Sequence, residues 1–179
     1  MHTNHFQTIQ DSYHKLCDFC DQIWNRVHKS YSQEIACRKG CDICCELQSV
    51  NQLEAYIIRL YLQKKDSFFI KNQDTEYNSK CPFLREQVCL IYEARPLICR
   101  THGLVLRSNE FVNSHASSCP YNFPSLRPDE FSAELTLDTD KITKNLMNLN
   151  LAFCMCKNIH DQAQNRVQLT DLYNMSAFM

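Results

Sequence analysis

Four cysteines fall within nine residues, Cys37-Arg38-Lys39-Gly40-Cys41-Asp42-Ile43-Cys44-Cys45, and Cys81, Cys89 and Cys99 span nineteen more. A thiolate holds zinc at about 2.3 Å, so close spacing lets one loop bring several sulfurs to one ion. Cys41-x-x-Cys44 has the spacing of a metal knuckle. Adjacent Cys44 and Cys45 point in different directions on an extended backbone. That suits a polynuclear centre, two neighbouring ions, or one ligand beside one packing thiol. Seven sulfurs are one short of two four-cysteine sites, and Cys119 and His102 are the extra residues at hand. The candidate metal ligands are therefore Cys37, Cys41, Cys44, Cys45, Cys81, Cys89 and Cys99, with Cys119 as an eighth.

The remaining cysteines read differently. Cys20, Cys154 and Cys156 lie on helical stripes, where a cysteine behaves as a small apolar residue. Cys17-x-x-Cys20 has a redox spacing but lacks the strand–helix–strand setting of such motifs. The two glycines, Gly40 and Gly103, both fall in the cysteine region, Gly40 directly before Cys41 and Gly103 four residues after Cys99. Their placement implies backbone angles that other residues tolerate poorly. It also leaves no glycine-rich nucleotide fingerprint. Four thiolates on a divalent ion leave a local charge of about −2. Arg38, Lys39, Lys80, Arg95 and Arg100 flank the cysteines and could offset it. Tyr92 reads as a packing residue and His102 as structural. No Ser-His-Asp, paired-carboxylate or phosphate-loop pattern stands out, so no catalytic residue is assigned.

Composition narrows the class. Twelve cysteines in 179 residues is about 7%, below the level of small disulfide scaffolds. The start, Met1-His2-Thr3-Asn4-His5, has no basic segment followed by an apolar one, so no secretory signal is read. The expected compartment is the reducing cytoplasm, where dense cysteine means metal or thiol chemistry. Nineteen basic against twenty acidic residues exclude a strongly basic nucleic-acid binder. No apolar run reaches the length of a membrane span.

The elements around the cluster are mainly helical. Phe6, Ile9, Tyr13, Leu16, Cys20, Ile23 and Val27 form one helical stripe. Leu47, Val50, Leu53, Ile57 and Leu60 predict a second helix. Ile142, Leu146, Leu149, Phe153 and Cys156 predict a last one, capped by Thr139, with a fraying tail from residue 161. A polar loop is expected over 71–80. Hairpins are expected at 81–92, turning at Arg85-Glu86-Gln87, and at 104–112, turning at Arg107-Ser108-Asn109. Pro120, Pro124 and Pro128 mark an irregular connection, and Pro96 suits the first turn of a helix presenting Cys99 and Arg100. The fold class is mainly α: a small single-domain helical fold over 1–179. It has an N-terminal helical segment (1–36), an irregular cysteine-cluster region (37–119) with one or two short β-hairpins, and a C-terminal helical segment (129–179). The cysteine region, poor in apolar stripes, is expected to fold around its metal. A monomer is preferred over a homodimer, because the terminal stripes can be buried within one chain.

The chain resembles the CxxCxxCC family of cysteine-cluster proteins, a zinc- or iron-chelating domain also called YkgJ-type. The resemblance rests on Cys37-Arg-Lys-Gly-Cys41-Asp-Ile-Cys44-Cys45, on Cys81-Pro82-Phe83-Leu84, and on Cys89-Leu90-Ile91-Tyr92-Glu93-Ala94-Arg95-Pro96-Leu97-Ile98-Cys99-Arg100. It covers residues 35 to 105, and the first spacing is C-x3-C rather than C-x2-C. It implies that the seven cysteines chelate zinc or iron, without choosing between them. A similar cluster in a flagellin lysine methylase, where an iron–sulfur centre is implied, supplies the alternative of an iron–sulfur or iron-dependent enzyme acting on a protein substrate. A thiol redox protein is the second alternative.

Overall fold

The structure is a computed structural model that describes residues 2–65, 80–111 and 116–176. The expected loop over 71–80, apart from Lys80, lies outside the described residues, as does Val112. Two compact units emerge, each made of two stretches of chain: Met1–Cys41 with Leu97–Leu149, and Asp42–Pro96 with Asn150–Met179.

The first unit is organised by helix α1 (His2–Tyr31). Its buried stripe is Ile9, Tyr13, Cys17, Cys20, Ile23 and Val27. Phe6 and Leu16, also expected on it, are only half-buried, and Cys17 takes the inner position beside Leu16. Helix α3 (Leu97–Thr101) packs on α1, and Arg100 donates to the Asp21 carboxylate at 2.5 Å across that contact. The predicted helix after Pro96 is thus present.

A three-stranded sheet completes this unit. Strand β4 (Val105–Arg107) pairs antiparallel with β5 (Ala116–Ser117) and parallel with β6 (Thr136–Asp138). This corrects the second expected hairpin, because β4 is partnered by Ala116-Ser117 and not by Glu110-Phe111. A parallel partner requires a long crossover, and the proline-rich connection supplies part of it. The rings of Tyr31, Phe123 and Phe131 close that connection, with centroids 4.8 to 6.1 Å apart.

In the second unit, helix α2 (Gln52–Lys64) starts later than the apolar spacing predicts. Asn51 caps it, its side chain accepting from the Glu54 N–H. Leu47 precedes the helix, and Val50 belongs to strand β1 (Ser49–Val50), antiparallel to β7 (Val167–Gln168). The first expected hairpin is present as β2 (Leu84–Arg85) and β3 (Val88–Cys89). Its turn residues, Glu86 and Gln87, have φ of 46° and 63°, the type I′ form that normally selects Asn-Gly. Helix α5 (Leu169–Ser176) replaces the fraying tail. Leu169, Leu172 and Tyr173 bury against Val50, Ile58, Phe83 and Ile91.

Helix α4 (Thr139–Cys156) contributes 139–149 to the first unit and the rest to the second. Its cap is Asp138, whose carboxylate accepts from the Lys141 N–H at 3.0 Å. The Thr139 hydroxyl donates instead to the Arg107 carbonyl at the sheet. Within the second unit Asn150 is buried and hydrogen-bonded through both its oxygen and its nitrogen. It accepts from the Leu53 N–H and donates to the Ala163 carbonyl.

Candidate metal centre

In the second unit, Cys45 and Cys81 are joined through the backbone. The Cys81 N–H donates to the Cys45 carbonyl at 2.8 Å, and the Cys45 N–H closes a turn on the Asp42 carbonyl. Lys80 donates through Nζ to the Asp42 carbonyl at 2.9 Å, tying the same loop from the side. The hairpin then brings Cys89 opposite Leu84. Burial chiefly pushes the Cys81 thiol up to about 11, and the Cys89 and Cys45 sulfurs push in the same direction.

Backbone amides oppose that burial. Phe83 N–H is aimed at the Cys81 sulfur and Ile91 N–H at the Cys89 sulfur, each two residues downstream. Hydrogen bonds from amides favour the thiolate over the thiol. Cations add to this. Arg85 acts on Cys81, and Arg95 acts on Cys89. Arg85 was not among the cations singled out from the sequence. Arg95 lies over the Tyr92 ring at 4.2 Å and donates to the Tyr92 carbonyl. Tyr92 itself is 61% exposed, so it is a platform for Arg95 and not the packing residue expected.

In the first unit the organiser is Asn122, which sequence reading missed. Its side-chain oxygen accepts from the Ala36 N–H at 2.9 Å and the Cys37 N–H at 3.3 Å. Its amide nitrogen donates to the Gly103 carbonyl at 2.8 Å and the Cys37 sulfur at 3.3 Å. Its backbone N–H closes a turn on the Cys119 carbonyl. Gly103, at φ +87°, is the other half of this arrangement. A Cβ there would lie 2.8 Å from the Cys37 sulfur. Gly40, at φ +92°, serves the turn in which Cys41 N–H bonds to the Arg38 carbonyl. Both glycines therefore work as the sequence implied.

Cys44 is exposed, whereas Cys37, Cys41, Cys45, Cys81, Cys89, Cys99 and Cys119 are partly buried. Cys99 sits on α3. Among the described residues, no three His, Cys, Asp or Glu side chains already converge on a point that would hold a metal ion. What the structure links is the backbone of Cys45 with that of Cys81, and the Cys37 sulfur with Asn122 on the turn that carries Cys119. The donor set fits a thiophilic ion: partly buried thiols, amides aimed at the sulfurs, and guanidinium groups nearby.

Residues 36–120 match the CxxCxxCC family model, described as "Putative zinc- or iron-chelating domain". The match takes in all eight candidate cysteines. Neither the comparison with curated proteins nor that with solved structures finds a match.

The cysteines outside residues 36–120 lie on helices α1 and α4. Cys20 is fully buried, and burial, with smaller contributions from Cys17 and Asp21, pushes its thiol up to about 12. No backbone amide acts on its sulfur in the way seen at Cys81 and Cys89. Cys154 is also fully buried and its thiol is raised by burial. Both behave as the packing thiols expected, while Cys156 is only partly buried. His102 is half-buried and its imidazole is depressed by burial. No helix among the described residues is long and apolar enough to cross a membrane.

Proposed function

We propose that this chain is a metal-binding module that holds zinc or iron through Cys37, Cys41, Cys44, Cys45, Cys81, Cys89, Cys99 and Cys119. The observation that carries the reading is the treatment of the Cys81 and Cys89 sulfurs. For each, a backbone N–H two residues downstream and a guanidinium favour the thiolate, while burial outweighs them and leaves the thiol raised until an ion takes the place of its proton. The packing thiol Cys20 also has a guanidinium acting on it, that of Arg100, but no backbone amide. The match of residues 36–120 to a chelating family supports the same reading.

In this reading Cys45, Cys81 and Cys89 form the nucleus of the site in the second unit, with Cys44 at its exposed edge. Arg85 and Arg95 balance the charge of the thiolates. A bound ion supplies the attraction that draws such sulfurs inside bonding distance. The role is structural or one of metal delivery, in a reducing compartment that keeps the cysteines from forming disulfides. Anaerobic purification followed by metal analysis, acid-labile sulfide analysis and a visible spectrum tests it. Bound zinc or iron in near-integral amount is expected. Sulfide with a brown colour would identify an iron–sulfur centre, and a colourless zinc protein a thiolate site. Protein that stays metal-free after anaerobic reconstitution with either metal would overturn the reading.

A further inference from the structure

We infer that Asn122 is a positioning residue for metal binding, one that aims and polarises the Cys37 sulfur from outside the matched region. The inference rests on the metal-binding reading above. Asn122 lies beyond residue 120, where the family match ends, and it is 3% exposed. A buried primary amide must satisfy two N–H donors and one carbonyl oxygen. Its oxygen is taken by the backbone of Ala36 and Cys37. One N–H is taken by the Gly103 carbonyl, and the nitrogen's other contact is the Cys37 sulfur.

This arrangement does more than fill a space. The same side chain fixes the Cys37 backbone through its oxygen and the Cys37 sulfur through its nitrogen, so the χ1 freedom of that cysteine is largely removed. Gly103 completes the constraint, since any side chain there would meet the sulfur at 2.8 Å. The N–H aimed at the sulfur is the side-chain counterpart of the amides that meet Cys81 and Cys89. A hydrogen bond to the sulfur stabilises its anionic, metal-binding form. Cys37 is also the residue at which the first spacing departs from that of the family.

The test is a double-mutant cycle on zinc affinity, measured by competition with a chromophoric chelator in the full chain. Asn122→Asp keeps an oxygen for the Ala36 and Cys37 N–H groups but removes both N–H donors, to sulfur and to the Gly103 carbonyl, and adds a charge, whereas Asn122→Ala removes the donors without the charge. Asn122→Ala serves as the second variant, and circular dichroism confirms that each folds. Asn122→Asp should weaken zinc binding by about 10- to 100-fold, the usual effect of losing a hydrogen bond to a ligand. In a Cys37→Ser background the same substitution should produce little further loss. Equal losses in both backgrounds, or no loss in either, would overturn the role of Asn122 and leave the metal-binding reading standing. Failure of the unsubstituted chain to bind zinc or iron at all would overturn both.

Discussion

Replacing Gly103 by alanine probes the packing around Cys37 with a single methyl group. Two costs add. The first is conformational: φ is +87° at this position, and a residue with a Cβ pays about 1–2 kcal/mol in left-handed backbone. The second is steric. The new Cβ would lie 2.8 Å from the Cys37 sulfur, 3.1 Å from the Trp24 ring and 3.2 Å from the Asn122 amide nitrogen. None of these is the free end of a flexible chain, because Asn122 is hydrogen-bonded to Gly103, Ala36 and Cys37. Overpacking of this kind costs about 1–3 kcal/mol. Together the loss should be about 2–5 kcal/mol, reduced by about 0.4–1 kcal/mol because alanine restricts the unfolded chain. Urea unfolding of the metal-loaded protein should show a lower midpoint with an unchanged slope, and zinc affinity should fall with it. A midpoint within about 0.5 kcal/mol of the parent's, the range of an ordinary surface change, would refute the packing described here.

Other substitutions reach other parts of the account. Replacing Glu86-Gln87 by Asn-Gly should relieve two strained residues and stabilise the hairpin by about 1 kcal/mol, seen as a higher melting temperature with metal content unchanged. Phe83→Ala should cost about 3–5 kcal/mol, because a fully buried ring is lost between Tyr173 and the hairpin, as read by urea unfolding. The Asp138 carboxyl is held below its ordinary range by the Lys141 N–H, and that of Asp140 by the Ser108 hydroxyl and the Asn109 N–H. Their contribution is therefore complete above the unfolded carboxylate range and disappears as pH falls through the depressed folded values. An Asp138→Asn/Asp140→Asn double variant should accordingly show a shallower loss of melting temperature below pH 4. Alkylation of the metal-free native protein at pH 8, followed by peptide mapping, should label exposed Cys44 first and Cys20 last, since Cys20 is buried and its thiol is raised to about 12.

The cysteine cluster, the first hairpin, the α1 stripe and the helix after Pro96 were legible because each is a local signal. A spacing, a turn or a periodicity within a dozen residues carries it. The sheet pairings were not legible. Strands of two residues, such as Ser49–Val50 and Val167–Gln168, have no alternation to read, and the parallel partner of β4 lies some thirty residues away. Residue type also misled at the cap of α4. Thr139 is a good capping residue, but the sheet takes its hydroxyl and Asp138 does the capping. The two buried asparagines were hidden for a related reason. Nothing around Asn122 or Asn150 distinguishes a polar residue buried with full hydrogen bonding from one on the surface. The cysteine region, poor in apolar stripes, shares a core with the helices around it. Phe83 and Ile91, each two residues after a cysteine, are buried with α2 and α5. The same short spacing thus supplies a core residue and an amide for the sulfur. Metal removal should for this reason loosen the loop that carries Cys41, Cys44 and Cys45 while leaving the helical content largely intact.

Metal stoichiometry across single cysteine variants tests the central claim most directly. Anaerobically reconstituted protein is measured with Cys81→Ser, Cys89→Ser and Cys45→Ser on one side, and Cys20→Ala and Cys154→Ala on the other. A clear loss of bound zinc or iron is expected in the first set and parental content in the second, with all variants folded. Equal losses in the two sets, or parental content in Cys81→Ser and Cys89→Ser, would contradict it.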